Sequence, residues 1–79
     1  MPEFSNAVLS HRLKVLRAEA RMSQDDLAVA SGVSKASIAR YEIGENIPQL
    51  DTALALAKAL HCRIDDLVGL PAPDDRPAA

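Results

Sequence analysis

The fold is decided by residues 23–44, which read SQDDLAVASGVSKASIARYEIG. Ser23 is a good helix N-cap, and Asp26 three residues later completes a short capping box. Gly32 ends this helix because glycine adopts a positive φ without steric cost, and Ser34 is the N-cap of the next helix. The spacing of these signals predicts two short helices joined by a tight turn, which is a helix-turn-helix.

Apolar residues at helical spacing predict three further helices on either side of this stretch. The stripe in the first helix of the chain consists of Leu9, Leu13, Leu16 and Ala20. The stripe in the fourth helix consists of Leu50, Leu54, Ala57 and Leu60. We expect an all-α chain of five helices without strands, at about residues 7–20, 24–31, 35–43, 50–60 and 64–68.

The length of 79 residues fits one small domain and excludes an enzyme with a cleft between two lobes. We expect the domain at residues 7–69, a flexible N-terminus at 1–6 and a disordered tail at 70–79, because the tail contains three prolines. The chain begins without a signal-peptide pattern and has no apolar run long enough to cross a membrane. A cytoplasmic location is therefore expected.

Charge is distributed unevenly along the chain. The formal net charge is −2, which does not fit a protein that binds nucleic acid through bulk basicity. Residues 1–40 contain six Lys or Arg against four Asp or Glu, whereas residues 41–79 contain three against seven. This asymmetry allows a local basic face on an acidic protein.

Residues with catalytic or metal-binding chemistry are few and scattered. The chain has no glycine-rich phosphate loop, no carboxylate pair suited to a cleft, and a single cysteine. Cys62 is expected to be a small buried hydrophobic residue, and it has no partner for an intramolecular disulfide. His11 and His61 do not complete the four ligands of a structural zinc site. We therefore expect no enzyme activity, metal, cofactor or small-molecule substrate.

Seven short segments make the chain closely similar to the Xre-type, phage-repressor-like helix-turn-helix family. They are RLKVLR at 12–17, MSQDDLA at 22–28, SGVS at 31–34, IARYEIG at 38–44, IPQL at 47–50, LALAKAL at 54–60 and IDDL at 64–67. The resemblance covers about residues 9–69. It implies a five-helix, lambda-repressor-like DNA-binding domain that regulates transcription, usually as a dimer.

The helix Lys35–Ile43 has one side suited to the core and one side suited to DNA. A helical wheel groups Ile38 with Glu42 on the inner side. Ala36 and Arg40 lie on the opposite side, where a small side chain and a cation are free to meet a base pair. The resemblance implies that this outer side enters the major groove of duplex DNA.

Seven residues are the candidate DNA contacts that the resemblance implies. Arg40 is expected to hydrogen-bond guanine O6 and N7, and Lys35 to contact guanine or a phosphate. Ala36 fits against a thymine methyl group, and Ser37 can bond a phosphate or a base. The remaining three candidates, Gln24, Ser34 and Asn46, are expected mainly at the DNA backbone or at an edge base. The full set is Gln24, Ser34, Lys35, Ala36, Ser37, Arg40 and Asn46.

The resemblance also places a structural ion pair between Arg17 and Glu42. The pair is physically reasonable because the wheel turns Glu42 inward, where a lone carboxylate would be costly. Glu45 departs from the family pattern, which usually has Lys or Arg at this position, and weakens attraction to phosphate at that edge. Three other cations are expected to form a solvated face, namely Arg12, Lys14 and Arg21.

The combined pattern predicts a sequence-specific DNA-binding transcriptional regulator, most simply a repressor. A homodimer would place two recognition helices about 34 Å apart on a near-palindromic operator. The dimer surface is expected at the last helix and its flanks, including Ile64, Val68 and Leu70. The alternative is a protein-interaction module on the same fold, such as an antitoxin or a partner-binding regulator, which the acidic second half of the chain and Glu45 favour.

Overall fold

The computed structural model describes residues 6–68, and none of these residues lies in a strand. The five helices are α1 (Asn6–Glu19), α2 (Gln24–Ser31), α3 (Lys35–Glu42), α4 (Leu50–Ala59) and α5 (Ile64–Val68). The all-α prediction is confirmed, and each helix begins and ends within one residue of its expected position. Asn6, which was expected in the flexible N-terminus, is the first residue of α1. The rest of that segment and the predicted disordered tail lie outside the described residues.

The turn between α2 and α3 is built by the caps that the sequence predicts. The Ser23 hydroxyl accepts a hydrogen bond from the Asp26 N–H (2.9 Å), and the Asp26 carboxylate accepts one from the Ser23 N–H (3.0 Å). Gly32 has φ of 75° and donates its N–H to the Ala28 carbonyl at 2.9 Å. Ser34 then caps α3 by accepting from the Ser37 N–H at 3.1 Å. These local bonds fix where α2 ends and α3 begins.

The C-terminal end of α3 is closed by a Schellman motif. Gly44 has φ of 79° and donates its N–H to the Tyr41 carbonyl at 3.2 Å. The N–H of Glu45 reaches back to the Arg40 carbonyl at 2.9 Å. This pair of bonds is the pattern in which a left-handed glycine satisfies the last carbonyls of a helix. Glu45 is therefore held next to the last turn of α3.

One apolar cluster holds the five helices together. Each helix contributes to it, and α3 is packed between α1 and α2. Six of its side chains are almost fully buried, and these are Leu9, Leu13, Leu27, Ile38, Leu56 and Leu67. Because two helices hold α3 from the inside, the orientation of its outer face is set by the core.

The predicted apolar stripe of α4 is only partly correct. Leu50 is 71% exposed and Leu54 is 45% exposed, so neither belongs to the core. The residues that α4 and its cap bury are Ala53, Leu56, Ala57 and Leu60. Both sets follow a helical repeat in a segment made almost entirely of Ala and Leu, so periodicity alone does not select between them. The packing of α4 against α2 and α5 makes the selection.

The capping box of α2 gives the fold a pH-dependent contribution. The hydrogen bond from the Ser23 N–H is the main reason why the pKa of Asp26 lies below its ordinary value. The stabilisation is therefore complete at neutral pH and is lost as the pH falls through the lowered folded-state pKa. Asp26→Asn is expected to lower the free energy of unfolding at pH 7, and the difference from wild type should shrink in acid. Urea denaturation of the variant and of wild type, at pH 7 and at an acidic pH, measures this difference in the free energy of unfolding.

Glu19→Gln is the matched control for this experiment. It removes one negative charge, as Asp26→Asn does, from an exposed position at the end of α1. It should change the stability little at either pH. A deficit of Asp26→Asn that stays constant with pH would contradict the assignment to an ionised cap.

Candidate nucleic-acid interface

Helix α3 has a buried side and an exposed side. Ile38 is fully buried and Glu42 is only 4% exposed. On the opposite side, Ala36 and Arg40 are exposed, and the Lys35 side chain is exposed at the first turn. This burial pattern agrees with the helical wheel. The outer side of α3 therefore presents two cations and a small residue to solvent on a helix that is held from within.

Two serine hydroxyls lie at the N-terminal end of α3. The Ser34 hydroxyl accepts a hydrogen bond from the Ser37 N–H. It also donates its own hydrogen to the Ser37 hydroxyl oxygen at 2.9 Å. The Ser37 O–H therefore has its own hydrogen free to donate outward. Both residues stand beside the positive end of the helix, which favours an anion such as phosphate.

Each outer cation of α3 has a carboxylate neighbour. Lys35 Nζ lies 3.4 Å from Asp25 Oδ2, and Arg40 Nε lies 3.8 Å from Glu45 Oε1. The Lys35 and Arg40 side chains are 57% and 56% exposed, so water screens both pairs and holds neither cation firmly. Both cations can leave these partners for a ligand. Asn46 is exposed in the loop that follows.

The inner end of α3 is anchored by the predicted ion pair. Arg17 Nε lies 2.6 Å from Glu42 Oε2, and Arg17 Nη2 lies 3.1 Å from Oε1, which is a bidentate geometry. The third bond of the guanidinium goes from Nη1 to the Met22 carbonyl at 2.9 Å. The hydrogen bond to Glu42 raises the pKa of Arg17 above its ordinary value. A basic residue of α1 thus serves structure and fixes α3 in place.

Gln24 is turned toward this ion pair. Its Nε2 donates to Glu42 Oε1 at 3.1 Å, and the side chain is partly buried. The predicted role of Gln24 as a DNA contact stays a prediction, since its carbonyl oxygen and second amide hydrogen are not used by this bond. The structure adds a second role. Gln24 ties the start of α2 to α3, so α1, α2 and α3 meet at one carboxylate.

The expectation that Arg12 belongs to a solvated face is wrong. Arg12 Nε donates to the Asp66 carbonyl at 3.0 Å, so this side chain links α1 to α5. The terminal carbonyls of a short helix need partners outside the helix, and a guanidinium is a good donor to them. Nothing in the local sequence marks the two residues as neighbours, because 54 positions separate them. Lys14 and Arg21 are exposed as expected.

Cys62 packs against the core but is partly rather than fully buried. Burial is the main reason why the pKa of its thiol is raised, and the charge of Asp66 adds to the shift. A thiol with a raised pKa is a poor nucleophile, so a reactive role is not supported. Within residues 6–68, no group of three or more His, Cys, Asp or Glu is arranged to hold a metal ion. No helix in the same range is long and apolar enough to cross a membrane.

Comparison with known proteins gives a family and several relatives. The profile of a helix-turn-helix family matches residues 13–67. The cryptic phage CTXphi transcriptional repressor RstR of Vibrio cholerae is 33% identical over 67 residues, which is 85% of this chain and 60% of the repressor. This chain therefore spans less than two thirds of that relative. YgzD of Bacillus subtilis, an uncharacterized HTH-type transcriptional regulator, is 32% identical over 62 residues, 78% of this chain and 94% of YgzD.

The fold is also shared with a solved structure of similar size. The restriction-modification controller protein C.AhdI from Aeromonas hydrophila superposes with a TM-score of 0.76 and 31% identity. The match covers 78% of this chain and 94% of the controller protein. The family profile spans the helices that build the exposed face of α3 and its anchor. This chain therefore belongs to the Xre-like helix-turn-helix family of DNA-binding transcriptional regulators.

Proposed function

We propose that this domain binds a specific duplex sequence by inserting the outer side of α3 into the major groove. The observation that carries the proposal is the two-sided burial of α3. Ile38 and Glu42 are held inside, while the Arg40 and Lys35 side chains are more than half exposed on the opposite side. The major groove is about 12 Å wide and accepts an α-helix in this way. Binding in front of a gene would then block or recruit the transcription machinery, and repression is the simpler outcome.

Each outer residue has a chemical role in this arrangement. Arg40 reads a guanine through two hydrogen bonds to O6 and N7. Ala36 allows close approach and fits a thymine methyl, and Lys35 binds a guanine or a phosphate. The contacts assigned to the DNA backbone are made by Ser34, Ser37, Asn46 and Gln24.

Two copies of the chain are needed for a useful recognition length, because one helix reads only a few base pairs. The sequence predicts a dimer surface at α5 and its flanks. However, Ile64 packs against the core, Val68 is partly buried, and Leu70 lies outside the described residues. Large exposed apolar side chains are instead concentrated between the end of α3 and the middle of α4. They are Ile43, Ile47, Leu50 and Leu54.

These four residues, the 43–54 strip, are our proposed surface for a second copy of the chain. Leu50 and Leu54 are one turn apart on α4, so they share a face. Ile43 and Ile47 lie in the segment that joins α4 to α3. A near-palindromic operator requires that the two-fold axis of such a dimer leave both α3 helices on the same side.

The double variant Leu50→Glu/Leu54→Glu is expected to weaken self-association by about tenfold or more, since charges would be placed in an apolar interface. Sedimentation equilibrium of the full chain measures the shift toward monomer. Val29→Glu is the control, because Val29 is 87% exposed on α2, a helix that contributes no residue to the strip. A dimer that resists the double variant, or one that the control disrupts equally, would contradict this surface.

The DNA-binding proposal is tested by selecting duplexes from a random pool with the full chain. The selected site is then compared with an unrelated duplex of the same length at two salt concentrations. We expect a preference of about 1,000-fold or more, and an affinity for both duplexes that falls with salt. Equal affinity for every duplex, or no retention of DNA at low salt, would overturn the proposal.

A further inference from the structure

The two carboxylates beside α3 are an unusual feature of a surface that should meet DNA. The outer side of α3 has two cations, and each of them is paired. Asp25 lies 3.4 Å from Lys35 Nζ, and Glu45 lies 3.8 Å from Arg40 Nε. A carboxylate at the edge of the interface repels phosphate whatever the base sequence. The two carboxylates therefore lower the net positive charge that this surface offers to phosphate.

The positions of these carboxylates are set by the backbone. Glu45 is held one residue after the left-handed Gly44 by its N–H bond to the Arg40 carbonyl. Asp25 is the second residue of α2, and the capping box of Ser23 and Asp26 orders this first turn. Neither acid is on a free loop tip. The backbone therefore keeps each carboxylate within reach of its cation.

Stability does not account for the pairs. All four side chains are more than half exposed, and solvent-exposed ion pairs of this kind contribute little to folding. The core and the Arg17–Glu42 pair already fix α3 from the inside. The effect of the two pairs should thus appear in binding rather than in folding.

The side of the guanidinium that Glu45 approaches also matters. Glu45 Oε1 approaches the Nε side of the guanidinium. The two terminal nitrogens, Nη1 and Nη2, are the donors that an end-on guanidinium offers to guanine O6 and N7. A carboxylate on the Nε side is compatible with this end-on contact. By contrast, a loose phosphate contact would have to compete with Glu45 for the same charge.

We propose that Asp25 and Glu45 are specificity-determining residues, which suppress binding to unrelated DNA more than binding to the operator. This inference rests on the proposed function. On unrelated DNA the cations meet only phosphates, and the carboxylates cancel part of that attraction. On the operator, Arg40 gains hydrogen bonds to a base that Glu45 does not block. Glu45 is a positioning residue in this account, because it acts through Arg40.

The test compares Glu45→Gln with Glu19→Gln, which removes the same charge from an exposed position at the end of α1. Dissociation constants of the full chain are measured for the selected operator and for an unrelated duplex, at two salt concentrations. We expect Glu45→Gln to tighten binding to the unrelated duplex more than binding to the operator. The ratio of the two dissociation constants should change by about threefold or more. The dependence of unrelated binding on salt should also become steeper. Glu19→Gln should leave the ratio of the two constants unchanged.

Asp25→Asn is a second variant at an independent position, and it should likewise reduce the preference for the operator over the unrelated duplex. Because Asp25 and Glu45 are exposed, both variants are expected to fold, and circular dichroism checks this. An unchanged ratio in both variants would overturn the inference and leave the DNA-binding proposal intact. A wild-type chain without preference for any duplex would overturn both.

Discussion

Arg17→Met is expected to lower the free energy of unfolding by about 3–5 kcal/mol. The reason is the carboxylate that this change leaves behind. Glu42 is only 4% exposed, and without Arg17 it would keep only the amide hydrogen bond from Gln24. A buried charge without a counter-ion is among the costliest features in a small domain. Urea denaturation at neutral pH measures the loss.

Matched variants separate the pair from its individual residues. Lys14→Met removes an exposed cation from the same helix and should change the stability little. Glu42→Gln should cost less than Arg17→Met, because Arg17 is 22% exposed and keeps its bond to the Met22 carbonyl. The double variant Arg17→Met/Glu42→Gln should recover much of the loss, since no charge is stranded. Strictly additive effects of the two single changes would contradict a coupled pair.

Arg40→Ala is expected to weaken binding to the selected operator about 10- to 100-fold, the equivalent of roughly 1–3 kcal/mol. The change removes both hydrogen bonds to guanine, so the preference at one base position should relax. Affinity for an unrelated duplex should fall much less. The stability should stay within about 0.5 kcal/mol of wild type, because the Arg40 side chain is 56% exposed.

Competition binding with operators changed at single positions measures this loss of preference. Lys58→Ala serves as the control, because Lys58 is an exposed cation on α4 rather than on α3. If Arg40→Ala weakened binding to all sequences by the same factor, Arg40 would be a phosphate contact and not a reader of bases.

The helix-turn-helix was predictable from sequence because its signals are local. The Ser23 and Ser34 caps and the positive φ of Gly32 act within a few residues, and the structure has all three. The ion pair of Arg17 and Glu42 was predictable through the family resemblance and the helical wheel. The caps require no knowledge of how distant segments meet. The ion pair joins residues 25 positions apart, so its prediction depended on the resemblance to supply that knowledge.

Two features that were not predicted depend on how distant segments meet. Arg12 bonds the Asp66 carbonyl, and no periodicity in α1 reports where α5 ends. The face of α4 was assigned wrongly at Leu50 and Leu54, because an Ala- and Leu-rich helix has several plausible faces. Glu45 was expected to weaken phosphate attraction, but its closeness to Arg40 follows from the Schellman motif that only the structure displays.

Arg40 is proposed to read a base in the major groove, and methylation protection by dimethyl sulfate tests this claim. This reagent methylates guanine N7 in the major groove and adenine N3 in the minor groove, so one experiment reports on both grooves. We predict that wild type protects at least one guanine N7 of the selected operator, and that Arg40→Ala, at saturating concentration, leaves this guanine reactive. Protection that persists with Arg40→Ala, or that occurs only at adenine N3, would contradict the claim.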